Sequence, residues 1–449
     1  MIDKPNTVRT ALDVLLARVS DELRKGLAAG TVVPSEVPQT RWKLVAPLQI
    51  DDNGILKGGR RSETKLEKTW AFAASAAAQA ASQTEEYNAV IVLLASTFGI
   101  DLAKQHLSQF LSSMTRTILE PEGASRRTID SLVSMFLDEL SGKPVTYGAE
   151  IELQGIMLQM EHIELAEGIT LRRPVTADFE REMDLDITFG SSNASAIMRI
   201  ERIGLNANDI QREVTRAIAV LRLFCVASVK WICMRQFSES LFTPASWTMH
   251  NGPHEIVNHV GKINSQDRQK LESFWNRMDS CVPPDFSSNP NTESDHLAIA
   301  FERYSAALTR PGLLEEKIAQ AVMALEAVLI NENLELAYKL RVRAAKLLSF
   351  FGDDAIHVNR VLKDAYGVRS TFAHGDRLSY KKNKKLDDWY KPVANLLVET
   401  LDILRQVLVT AILIRKGKDH LIDMIDYALI DQQRHAALEN QLRIVRQYL

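Results

Sequence analysis

Residues 313–377 read LLEEKIAQAVMALEAVLINENLELAYKLRVRAAKLLSFFGDDAIHVNRVLKDAYGVRSTFAHGDR, and this stretch decides the fold. Apolar residues recur in three runs. The first holds Ile318, Val322, Leu325, Val328 and Leu329; the second Leu336, Leu340, Ala344, Leu347 and Leu348; the third Ile356, Val361, Leu362 and Tyr366. A strand would alternate with a period of two, whereas these positions line one face at helical spacing. Gly352 breaks the pattern between the second and third runs, and Asp353 and Asp354 after it are cap-type residues. The third run is expected to end at Gly367. Three successive helices should therefore deliver Arg369, Ser370 and His374 just beyond the third.

Working outward, several residues fix a resemblance: Leu325-Glu326 in the first run, and Lys339-Leu340 followed by Arg341 and Arg343 in the second. Tyr366, Arg369-Ser370 and His374-Gly375 follow at the third. Residues 300–430 resemble the HEPN domain, in its Apea-like branch. The resemblance implies a dimerising all-helical bundle and, in many members, a ribonuclease that needs no metal and no cofactor. Its signature is an arginine, a polar residue, variable residues and a histidine; here Arg369, Ser370 and His374 stand at those positions. Many HEPN nucleases carry Asn, Asp or His where this chain has Ser370, which makes Arg369 and His374 the principal candidates.

The residue types suit the implied chemistry. An imidazole, with a reference pKa near 6.5, takes a proton when neutral and gives one when charged. An arginine presents a rigid fork of donors to phosphate oxygens as charge develops. Together they fit internal transesterification, in which a ribose 2′-OH attacks the adjacent phosphate. Arg369 and His374 do not share a face of one ideal helix. The pair needs a helix distortion or a groove between two copies, and the resemblance implies the groove. A structural alternative stays open: Arg369 pairs with a carboxylate, and His374 with Gly375 caps the helix. Glu326 is the candidate carboxylate, either orienting Arg369 or simply paired at a buried helix edge. Spacing alone decides nothing, because the same interval recurs at Arg415 and His420.

Past the signature, Lys381, Lys382, Lys384 and Lys385 form an expected basic loop that could hold phosphates, with Tyr380 able to stack on a base. A solvated loop has the same composition. Arg341 and Arg343 suit either phosphate contact or a salt bridge from the second helix. His250, His254 and His259 have no cysteine at metal-site spacing. Neither a phosphate-binding glycine loop nor a serine nucleophile elbow is found.

The 449 residues suffice for two to four domains, and 46% hydrophobic with 25% charged is an ordinary globular balance. A net charge of −3 gives no global nucleic-acid signature, so RNA contact would need a local basic patch. Cys225, Cys233 and Cys281 have no metal-type spacing, and Cys225 and Cys233, which lie in apolar runs, read as reduced core residues. The opening residues lack a signal peptide's apolar run and no apolar run is long enough for a bilayer, so a cytoplasmic location is expected.

The expected fold class is multidomain and mainly α. A helical N-terminal region covers 1–143, a mixed α+β middle domain 144–262, a helix and linker 263–291, and the all-α HEPN-like bundle 292–449. In the first region, helices are expected over 10–29, 63–82, 102–119 and 127–140, a loop over 31–40 and a short strand over 42–50. In the middle, strands are expected at 149–155, 161–165 and 169–173, a linker at 176–180, and weaker strands at 197–203 and 229–235 around a helix at 208–224. The expected function is a homodimeric RNA endonuclease cleaving single-stranded RNA in antiphage defence, with the upstream domains sensing a phage or host trigger. The alternative is a non-catalytic HEPN module for dimerisation or for binding RNA or protein.

Overall fold

The computed structural model describes residues 4–44, 49–50, 56–57, 60–119, 128–175, 178, 194–204, 210–240, 246–249, 259–282 and 296–449. The chain is a multidomain, mainly α protein, with a helical N-terminal region, a mixed α+β middle and an all-α C-terminal region. The expected linkers at 281–290 and 176–180 lie almost wholly outside the described residues.

The N-terminal region holds α1 (Lys4–Ala28), β1 (Ser35–Leu44), β2 (Gln49–Ile50), β3 (Leu56–Lys57) and β4 (Arg60–Thr69). These are followed by α2 (Ala71–Ala81), α3 (Glu85–Phe98), α4 (Ile100–Leu119) and α5 (Ile129–Leu140). Two helix starts follow from capping chemistry: Thr84 and Thr128 accept backbone N–H bonds from Tyr87 and Ser131, each at 3.2 Å. The apolar stripe of α1, including Leu12 and Leu15, joins Leu107, Phe110 and Phe136 in a separate core. Phe110 and Phe136 pack there with ring centroids 4.5 Å apart.

Two expectations fail in this region. The proline-containing 31–40 is largely strand, not loop, and 63–69 is strand, not the start of a helix: β1 and β4 form an antiparallel hairpin pairing Ser35 with Thr69 through to Leu44 with Arg60. Each strand is too polar to announce itself. Pairing is what stabilises them, and it sets Glu36 opposite Lys68.

In the middle domain, β5 (Val145–Gln154), β6 (Ile156–Leu158), β7 (His162–Ala166), β8 (Ile169–Arg172) and β9 (Ala196–Gly204) precede α6 (Ile210–Phe224). β10 (Lys230–Ser238), β11 (Ser246–Met249), β12 (Gly261–Ile263) and α7 (Arg268–Asp279) complete it. Six strands form one antiparallel sheet in the order β11-β10-β5-β9-β8-β7, while β12 pairs in parallel with β6. Alternation drives it: Ala149, Ile151 and Leu153 of β5 enter the core beneath α6. Glu150 instead accepts from Arg199 at 3.2 Å. Gly168, at φ +68°, makes the turn between β7 and β8, where a Cβ would meet the Glu201 carbonyl oxygen at 2.4 Å.

The C-terminal region comprises α8 (His296–Thr309), α9 (Leu314–Leu329), α10 (Leu336–Ser349), α11 (Ala355–Ala373) and α12 (Tyr380–Tyr390). It ends with α13 (Ala394–Ile414), α14 (Lys418–Ile430) and α15 (Gln432–Arg446). α13 is apolar nearly all round, which suits a helix enclosed on every side. It touches α6 and α8 through α12, and also α15. Fully buried Leu396, Leu401, Leu404 and Leu408 form its spine, each contributing about 2 kcal/mol by leaving water.

The middle sheet domain and the C-terminal bundle share one core. The last carbonyls of α6, which have no partner within their own helix, are met from the bundle. The Tyr304 hydroxyl donates to the Arg222 carbonyl at 2.8 Å, and the Arg405 guanidinium donates to those of Leu223 and Phe224 at 3.3 Å. The Ser228 hydroxyl donates to the Leu308 carbonyl at 2.8 Å.

Candidate active site

The three expected helices are α9, α10 and α11, and the break between the last two is built as the residue types require. Gly352 takes φ +104°, and Asp354 caps α11 by accepting from the Ile356 N–H at 2.9 Å. The expected end at Gly367 is wrong: α11 runs through it to Ala373. Buried Val361, Leu362, Ala365 and Val368 hold the helix on both sides of the glycine, outweighing its roughly 1 kcal/mol helix penalty. Arg369 and Ser370 are therefore helical, and His374 is the C-cap.

This frame decides what each side chain can meet. Arg369 turns toward α9, where its guanidinium donates to the Glu326 carboxylate at 3.1 Å. The guanidinium carbon lies 5.4 Å from the centroid of the Tyr366 ring, one turn back. Burial first, and then the Glu326 carboxylate, pushes the Tyr366 phenol up from its ordinary value. Glu326, Tyr366 and Arg369 thus form a partly buried cluster that fixes the guanidinium. The carboxylate named from the sequence does contact Arg369.

His374 is exposed. Its backbone N–H donates to the Ser370 carbonyl at 3.2 Å. Gly375, at φ +80°, closes the helix: its N–H donates to the Phe372 carbonyl at 2.9 Å and the Asp376 N–H to that of Thr371 at 3.1 Å. Capping uses only backbone atoms, so the imidazole stays open to solvent. Ser370 and His374, four residues apart, line an open hollow of about 430 Å³ with Thr371, Asp376, Arg377 and Lys382. Arg369 does not line this hollow; at about 100° per residue it points some 140° away around the helix. Within one chain, then, Glu326 bonds Arg369 while Ser370 and His374 share a hollow that Arg369 does not line.

The expected basic loop is another correction. Residues 380–390 form α12, started by Ser379, whose hydroxyl accepts from the Lys382 N–H at 3.4 Å. Leu386 and Tyr390, four apart, give it an apolar edge against the bundle, and the Tyr390 hydroxyl donates to Asp364 at 3.0 Å. Lys381, Lys382, Lys384 and Lys385 line a second hollow, of about 680 Å³, between α11 and α12. Further contributors to its wall, unmarked in the sequence, include Arg360 and Lys363 from α11 and Trp389 from α12. Their helical spacing becomes meaningful only once residues 380–390 are known to be helix. Tyr380 is exposed and lines neither hollow.

Other candidates resolve differently. Arg343 is buried and donates two bonds to Asp426, at 2.8 and 2.6 Å, and one to the Leu329 carbonyl at 2.8 Å, which makes it the salt-bridge residue of the two alternatives. Arg341 donates to the Ala337 carbonyl at 2.9 Å. His250 and His254 lie outside the described residues, and burial pulls the His259 imidazole below its ordinary pKa. Burial pushes the Cys225 thiol up to about 11, away from nucleophilic use. Among the described residues no group of His, Cys, Asp and Glu is gathered to hold a metal ion, and no helix is long and apolar enough to cross a membrane. Comparison with protein-family models, curated proteins and solved structures returned no match to this chain.

Proposed function

We propose that this chain is a HEPN-type RNA endonuclease that cleaves single-stranded RNA by 2′-OH transesterification, acting as a homodimer. The observation that carries the reading is the fixed guanidinium of Arg369, held by Glu326 beside Tyr366, five positions before the open His374 imidazole. A guanidinium serving only as a strut has no call for an exposed histidine and a polar hollow at the same helix end. The divergence of Arg369 from His374 favours a site completed between two copies, with the ends of both α11 helices facing one groove.

In this reading His374 takes the proton of the ribose 2′-OH, whose oxygen attacks the adjacent phosphorus. The P–O5′ bond breaks, and the imidazolium of a second copy protonates the departing 5′-oxygen. The products are a 2′,3′-cyclic phosphate and a 5′-hydroxyl. Arg369 stabilises the charge that builds on the non-bridging oxygens, a contribution typically worth about 10²–10³ in rate. Glu326 and Tyr366 act through Arg369 by holding its plane. Location in the cytoplasm and antiphage defence, with the upstream domains as sensor of a phage or host trigger, belong to the same proposal.

The test is cleavage of a single-stranded RNA in excess EDTA, beside the same strand with 2′-deoxyribose at every position. Cleavage of the ribose strand alone, with 2′,3′-cyclic phosphate ends, is expected. Equal cleavage of both strands, or cleavage abolished by EDTA, would contradict the mechanism.

A further inference from the structure

The hollow between α11 and α12 is a concentration of positive charge in a chain of net charge −3. Arg360, Lys363 and four lysines of α12 line it, against only two carboxylates, Asp364 and Asp388. Asp364 already accepts from the Tyr390 hydroxyl at 3.0 Å. In the same wall stands Trp389, with the Arg360 guanidinium carbon 3.7 Å from its ring centroid and yet 53% of its surface exposed. Like charges crowded together repel, and a tryptophan left open to water forgoes its burial energy. Neither choice helps the fold. Both suit a polyanion that carries flat apolar rings. Lys382 also lines the hollow at Ser370 and His374, so the two concavities adjoin across one side chain.

We propose that the α11–α12 groove is a track for a single nucleic-acid strand. Phosphates lie on Lys363, Lys382 and Lys385, one base stacks on the Arg360–Trp389 pair, and the strand passes Lys382 to reach His374. The direction toward His374 rests on the ribonuclease reading; the binding itself does not. Stacking accepts any base, because every base has a π face, so the track tolerates sequence. It rejects a perfect duplex, whose bases are not free to stack.

The test uses the full chain and a short, labelled 2′-O-methyl oligoribonucleotide, which lacks the attacking hydroxyl, with affinity measured across salt concentrations. Trp389→Ala should weaken binding about tenfold, with Trp389→Phe recovering most of it. Lys363→Gln with Lys385→Gln should reduce the slope of log affinity against log salt by about 1.4. Unchanged affinity in Trp389→Ala, or a duplex bound as tightly as the strand, overturns the track; equally tight binding to vesicles of anionic phospholipid would assign the patch to a membrane surface instead. Variants that lose binding beside a wild type that cuts no ribose strand would keep the track and remove the nuclease. Cleavage lost in His374→Ala, with binding untouched in the Trp389 and lysine variants, would do the reverse.

Discussion

Arg369–His374 and Arg415–His420 have the same residue types at the same interval, and the fold treats them in opposite ways. Arg369 lies inside a helix and meets a carboxylate 43 positions earlier in the chain, while His374 ends that helix above a polar hollow. Arg415 caps α13 with left-handed backbone, φ 53°, and donates to the Ser280 carbonyl at 2.6 Å. His420 is exposed in the opening turn of α14 and lines neither hollow. The interval therefore carries no chemistry by itself. What distinguishes the first pair is a partner helix that fixes the arginine and a helix end that presents the histidine.

The largest expected effect breaks or sharpens that contrast directly. Arg369→Ala should lower the rate of RNA cleavage about 10²- to 10³-fold, whereas Arg415→Ala should leave it within about twofold. Similar losses in both would erase the distinction. A second arginine gives a contrast in stability. Arg343→Ala leaves Asp426 without its bidentate partner and the Leu329 carbonyl without a donor. It should cost about 3 kcal/mol in denaturant unfolding, mostly from the buried Leu329 carbonyl left without its donor, against about 1 kcal/mol for Arg369→Ala, which breaks a single side-chain bond at 3.1 Å. The reverse order would make Arg369 the structural arginine. Glu326→Gln keeps the side chain's shape and removes its charge. It should lower kcat about tenfold through a looser guanidinium, leaving KM nearly unchanged; a change confined to KM would place Glu326 in binding instead. The smallest effect is Arg415→Ala on stability, about 0.5 kcal/mol or less by thermal unfolding.

Legibility followed the range of the forces involved. Periodicity located α9, α10 and α11 and the alternating strands β5, β7 and β8, because helix faces and half-buried strands imprint their period on a local stretch. Gly352 and Asp354 were readable for the same reason: a left-handed position and an N-cap are local demands. The end of α11 was not, because Val368 is buried by its neighbours in the bundle and so carries the helix past Gly367. The β1–β4 hairpin was hidden because its ladder is a property of two segments together. The same limit applied to the candidate site. Glu326 was nameable in advance, and its bond to Arg369 follows from helix packing. Arg360 and Trp389 came into view only with α12, whose lysines had the composition of a loop and whose two apolar anchors are few.

The most direct measurement compares wild type, His374→Ala and His420→Ala on one single-stranded RNA in EDTA, with the product ends identified. Identical fragments bearing 2′,3′-cyclic phosphates are expected from wild type and His420→Ala, and none from His374→Ala. Wild-type cleavage by His374→Ala, or its loss in His420→Ala, would contradict it.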